Sequence, residues 1–142
     1  MPDQKLPELV LDTNFCMLPV RRKRDIFKEL EIEGYRLTVI PEVGHELRTL
    51  AERGSGASIS AREAKATLQL LIRKGLLSPP PQGKDLKTPR RSAGYADQAI
   101  LAYCQERGAV AATHDNELRK LLHSRGVAVV TLGRSGALRK EE

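Results

Sequence analysis

Four short apolar runs punctuate the chain: LVL at 9–11, RLTVI at 36–40, AVAAT at 109–113 and VAVVTL at 127–132. Between them lie segments whose apolar residues recur at spacings of three and four. This alternation constrains the fold more than any other feature. Apolar runs without polar alternation suit strands covered on both faces. Strands of that kind pair in parallel and need crossover connections, usually helices. The expected fold class is therefore α/β, a three-layer α/β/α sandwich around a central, mostly parallel sheet. The expected organisation is a single domain over 1–133, with 134–142 as a flexible C-terminal tail.

The intervening segments fill in the pattern. Val20, Ile26, Phe27 and Leu30 recur at helical spacing, which predicts one helix from about 19 to a stop at Gly34. Pro41 suits the first turn of a helix running through EVGHELRTLAER. The run GSGASIS at 54–60 reads as a break, with Ser60 capping AREAKATLQLLIRKG. Ala66, Leu68, Leu70, Leu71 and Ile72 are the expected buried face of that helix. Residues 78–94 read as a long basic loop, 95–107 as a helix stopped by Gly108, and NELRKLLHSRG as a last short helix.

Bulk properties narrow the class. A chain of 142 residues, 40% hydrophobic and 30% charged, suits a globular domain and argues against disorder. Lys and Arg number 24 against 18 Asp and Glu, a net charge of +6 that is compatible with a polyanion partner such as nucleic acid. The first residues lack the pattern of a signal peptide, and no apolar stretch approaches the ~18 residues that span a bilayer. A cytoplasmic protein with no membrane partner is expected. Cys16 and Cys104 are too few for a disulfide framework and too isolated for a zinc site, so they read as buried thiols.

In open parallel sheets, ligand sites lie beyond the carboxyl ends of the strands. Asp12 directly follows the first run, and Asp115 follows AVAAT as Thr113-His114-Asp115. Asp97 falls in the first turn of the helix that feeds that strand, and Glu46 one turn into the helix after RLTVI. Each has an ordinary reading: Asp115 as a helix cap, Asp97 as a partner of the helix dipole, Glu46 as a solvated side chain, Asp12 as an Asx turn. Converging, they would repel one another unless a cation neutralised them. Oxygen donors without His or Cys favour hard ions such as Mg²⁺ or Mn²⁺. Such an ion beside a basic surface suits phosphodiester hydrolysis.

The order LVLDTN, VIPEVGHEL, YADQAILAYC, AVAATHDNEL resembles the PIN domain, a metal-dependent ribonuclease fold, over residues 8–132. The resemblance implies an endoribonuclease acting on single-stranded RNA with Mg²⁺ or Mn²⁺. It makes Asp12, Asp97 and Asp115 the metal ligands, and Glu46 the remaining catalytic acid. Thr13, Asn14 and Thr113 fall where the family places hydrogen-bonding supports. Glu42 lies one turn before Glu46, so the helical acid is open between the two; Glu46 precedes Leu47, as in the family pattern. His114 stands where close relatives often carry Asn, and reads by default as a neutral surface histidine. DTNFCMLP followed by a basic helix is most similar to archaeal PIN proteins related to those of small-subunit rRNA processing. The toxins of toxin–antitoxin pairs share the same acids. The resemblance therefore implies RNA as partner, with an antitoxin, a ribosome-assembly protein or a second copy of the chain beside it.

Two basic clusters are the expected RNA contacts: Arg21, Arg22, Lys23 and Arg24, and Lys84, Lys87, Arg90 and Arg91. Either can also be read as a solvated face. With two Phe, three Tyr and no Trp, base stacking on an exposed aromatic platform is not expected, which leaves shape, phosphate contacts or a partner protein for recognition. A non-catalytic RNA-binding or assembly module is a rival reading, but a scaffold has no use for four acids. A phosphoacceptor receiver domain fails on its acids: it wants an acidic pair after the first strand and an Asp ending a central one, and this chain has neither.

Overall fold

The computed structural model describes residues 6–52, 59–79 and 95–142. In chain order the elements are β1 (Glu8–Leu11), α1 (Thr13–Cys16), α2 (Leu18–Arg22), α3 (Ile26–Ile32), β2 (Arg36–Thr38) and α4 (Pro41–Glu52). There follow α5 (Ile59–Arg73), α6 (Tyr95–Arg107), β3 (Val110–Ala112), α7 (Asn116–Ser124), β4 (Val129–Leu132) and β5 (Leu138–Glu141). The strands form one five-stranded sheet in the order β2-β1-β3-β4-β5. The first four are parallel, and β5 runs antiparallel to β4.

The apolar runs behave as their composition requires. Leu9, Val10 and Leu11 are all fully buried, although successive strand residues point to opposite faces. Both faces of β1 are therefore covered, as the α/β/α expectation demands. In β3 the small side chains of Ala111 and Ala112 are buried as well. Gly108 ends α6 just before β3, taking φ +67, which a glycine adopts without steric cost, while its N–H bonds Cys104 O at 2.8 Å. Cys16 and Cys104 are free, buried thiols.

Four expectations need correction. The single helix over 19–34 is two, α2 and α3, because Lys23 takes a left-handed conformation (φ 50, ψ 48) and Asp25 caps a new start by accepting Lys28 N–H at 3.1 Å. Ser60 lies inside α5, which is already helical at Ile59, so it is not the cap. The buried face of α5 is Ala61, Ala64, Thr67 and Leu71, set by the surfaces of α2 and α4 against which it packs rather than by its largest side chains. Nor are residues 134–142 a flexible tail. Gly133 N–H bonds Ala137 O at 2.8 Å to close a hairpin, and β5 pairs along β4 from Leu138 to Glu141. Arg24 fastens that hairpin: Nη1 donates to Gly136 O at 2.5 Å, while Nε and Nη2 grip Glu29 at 2.7 and 2.6 Å.

Strand order reverses between β1 and β3, since β2 lies outside one and β4 outside the other. That reversal leaves a crevice beyond their carboxyl ends, where the two crossovers depart in opposite directions. Asp12 and Thr113–Asp115 begin there.

Candidate active site

Asp12 ends β1 because its side chain takes over the backbone's hydrogen bonding. It is only 5% exposed, its backbone is extended (φ -79, ψ 171), and its Oδ1 accepts the Phe15 N–H at 2.6 Å to cap α1. Oδ2 accepts the hydroxyl of Thr113, which is fully buried. The same Thr113 Oγ1 accepts the Asp115 N–H at 3.1 Å. Asp115 then caps α7, its Oδ1 accepting the N–H of Glu117 at 2.8 Å and of Leu118 at 3.1 Å. One string of hydrogen bonds thus joins the turns after β1 and β3. Each Asp12 oxygen keeps a further lone pair, and Asp115 caps through Oδ1 and leaves Oδ2 for a ligand, so capping a helix and binding a cation are compatible.

The remaining acids are tied in by charge. Asp97, half-buried in the first turn of α6, has its carboxyl raised first by burial, then by the negative charges of Asp115, Glu46 and Glu117. Asp12 is pushed up to about 7, chiefly by burial, against the lowering effect of the Thr113 and Phe15 hydrogen bonds and with the charges of Asp97 and Asp115 adding to the rise. Glu46, exposed on α4, is the acid of that helix whose charge acts on Asp97; Glu42 is not among the charges that do. The four expected acids therefore stand in one electrostatic neighbourhood. Among the described residues, no three carboxylate, imidazole or thiolate groups stand together closely enough to hold a metal ion.

Glu117 was missed by sequence reasoning. It lies two residues beyond Asp115 in the first turn of α7 and bears on Asp97. The signal was present in THDNEL, where a second acid follows Asp115 at the spacing of a helix's first turn.

The supports differ from those expected. Thr113 does hold Asp12, but the second donor is the Phe15 backbone. Thr13 is buried and Asn14 exposed; neither donates to the Asp12 carboxylate among the described residues. The first basic cluster divides. Arg21 Nε pairs with Glu63 Oε1 at 3.0 Å, while Arg22 and Lys23 are exposed. Arg24 is held by Glu29 and Gly136 through Nε, Nη1 and Nη2. Lys84, Lys87, Arg90 and Arg91 lie outside the described residues.

His114 is exposed beside Asp115, its ring 6.5 Å from that of Phe15 and tilted by 56°. Burial of part of the ring and the positive charges of Arg21 and Arg22 lower its pKa, against an opposing pull from Asp115. The two arginines of α2 therefore stand close to the acidic crevice.

A buried Asp capped across two turns, a string of acids at the switch point and a basic helix beside them define a class. The chain belongs to the PIN-like domain family: residues 9–135 match that family, described as a PIN like domain. Among curated proteins it is similar to Ribonuclease VapC4 of Methanocaldococcus jannaschii, 26% identical over 129 residues that cover 88% of this chain and 89% of the relative. The PIN resemblance and the α/β fold class are thereby borne out. Among the described residues, no helix is long and apolar enough to cross a membrane.

Proposed function

We propose that this chain is a Mg²⁺- or Mn²⁺-dependent endoribonuclease acting on single-stranded RNA. Ribonuclease is the enzyme class that the family match and the name of the relative both support. The observation that carries the reading is Asp12: a carboxyl buried at the switch point and pushed up to about 7 beside Asp97 and Asp115. An all-oxygen set with so poorly tolerated a charge fits a hard divalent cation, which would replace the proton that Asp12 otherwise retains.

Asp12, Asp97 and Asp115 would hold the ion, with Glu46 orienting the attacking water and Glu117 shaping the charge around Asp97. When bound, the ion polarises the scissile phosphate and acidifies the attacking water. The Phe15 N–H and Thr113 hydroxyl fix the Asp12 carboxylate, and Thr113 also fixes the turn that carries Asp115. Arg21 and Arg22 would hold the RNA backbone against the acidic crevice, with Lys23 beside them. Lys84, Lys87, Arg90 and Arg91 remain proposed phosphate contacts on the basis of sequence.

The setting we propose is rRNA processing or RNA turnover. The second reading is the toxin of a toxin–antitoxin pair, favoured by near-full-length likeness to Ribonuclease VapC4. An antitoxin is then the partner to look for, and a homodimer is the assembly to test. A cytoplasmic location is proposed with either setting. Incubation of single-stranded RNA with the protein and Mn²⁺ should yield internal cuts that chelator abolishes. Absence of cutting alongside RNA binding that chelator leaves unchanged would point instead to a binding module.

A further inference from the structure

We propose that His114 is the base-contacting residue of the site, a single-ring platform on which the nucleotide next to the scissile phosphate stacks. The inference rests on the ribonuclease reading for its choice of ligand. A count of Phe, Tyr and Trp argues against stacking, but it omits the imidazole, which also serves as a flat face for bases. Phe15 and Phe27 are fully buried, so neither phenyl ring is available at the surface. His114 is exposed, and its place in the chain puts it at the crevice: Thr113 before it holds Asp12, and Asp115 after it caps α7.

The ring is also braced. Phe15 lies against it at 6.5 Å and 56°, and the Phe15 N–H is bonded to Asp12. The same residue thus sets both the imidazole and the carboxylate, which fixes their relation. Arg21 and Arg22 are close enough for their charges to act on His114. A strand whose phosphates lie along α2 would bring its bases to this ring, since phosphate contacts set register while an adjacent flat face receives the base. Stacking is tolerant of base identity, so the expected outcome is a fixed position of cleavage relative to the stacked nucleotide.

The test uses the full-length chain carrying Asp97→Asn, so that bound RNA is not consumed, and reads binding by fluorescence anisotropy. A short single-stranded RNA is scanned with one abasic nucleotide at each position. In the parent, one position should show an abasic penalty of about five- to twentyfold. His114→Ala should abolish that penalty at that position alone, and His114→Phe should retain it. Equal penalties in parent and His114→Ala would overturn the proposal. So would uniform weakening at every position, which marks a phosphate contact, or a His114→Phe variant as weak as His114→Ala. Melting temperatures matched to the parent verify folding. Mn²⁺ cleavage by the wild-type chain is read separately: its failure beside an intact abasic pattern removes the nuclease reading and leaves the stacking contact, and a missing pattern beside active cleavage does the reverse.

Discussion

The two ends of β1 carry two acids treated in opposite ways. Glu8, at the amino end, accepts the Tyr103 hydroxyl at 2.5 Å and the Thr38 hydroxyl at 2.7 Å, with Arg36 Nη2 3.6 Å away. Burial alone would raise its carboxyl; the two hydroxyls and the charges of Arg36 and Arg107 outweigh that and leave it below its usual range. Asp12, past the carboxyl end, also has two donors, but burial raises its carboxyl more than they lower it, its charged neighbours are acids that add to the rise, and it stands at about 7. The same sheet thus holds one carboxylate whose charge is compensated from within the chain and one whose compensation must come from outside. A structural ion pair and a ligand site differ here in whether the cost of burial is compensated and in the sign of their neighbours.

The largest effect expected from breaking this contrast is on chemistry. Asp97→Asn should reduce Mn²⁺-dependent cleavage of single-stranded RNA at least about a hundredfold, and unchanged cleavage would remove Asp97 from the site. Stability should move the other way at Asp12. In chelator near pH 8, Asp12→Asn should stabilise the fold by up to about 4 kcal/mol, from the rise between the ordinary 3.8 and about 7, while abolishing cleavage. Asn still caps α1. A lower denaturation midpoint for this variant in chelator would contradict a strained carboxylate.

Glu8→Ala should cost about 1–3 kcal/mol in denaturant unfolding, because it strands the hydroxyls of Tyr103 and Thr38. Its cleavage per folded molecule should match that of the wild type. The two acids should also tilt the pH–stability curve in opposite directions. The Asp12 carboxyl is raised in the fold, so its contribution is fully present below about 3.8 and is lost as pH climbs through about 7. The Glu8 carboxyl is lowered, so its contribution is present above about 4.5 and is lost as pH falls through the folded value. Melting temperatures in chelator should show the neutral-side decline flattened in Asp12→Asn and the acid-side decline flattened in Glu8→Gln. The smallest expected change is in RNA affinity: Arg22→Ala should weaken binding a few-fold and lessen its salt dependence, and an unaltered salt slope would remove α2 from the RNA path.

Much of this architecture was legible in the chain. Apolar runs bounded by turn residues gave β1 to β4, since a strand buried on both faces leaves an uninterrupted apolar signature. LRKE does not: β5 is an edge strand with Arg139 and Lys140 exposed, and its pairing depends on a hairpin closed by Gly133 and on Arg24 from the turn between α2 and α3. The break at Lys23 was hidden for a similar reason, as a left-handed lysine has no compositional mark. At the crevice, the side chains that end strands or open helices stood out as Asp12, Asp97 and Asp115. The Phe15 N–H did not, because a backbone donor carries no residue signature. Thr13 and Asn14 drew the supporting role from the family resemblance and their place beside Asp12, whereas the turn places the needed donor three residues on.

Thr113 has one further consequence. Its oxygen joins turns that are 101 residues apart, accepting from one and donating to the other. The gap between them is therefore set by that oxygen together with the Asp12 N–H, which bonds Ala112 O at 3.0 Å. Drift in the sizes of core side chains should carry both turns along together, as two passengers on one axle. Thr113→Val, similar in shape and lacking the hydroxyl, would remove the side-chain link and leave the backbone bond to hold the two turns.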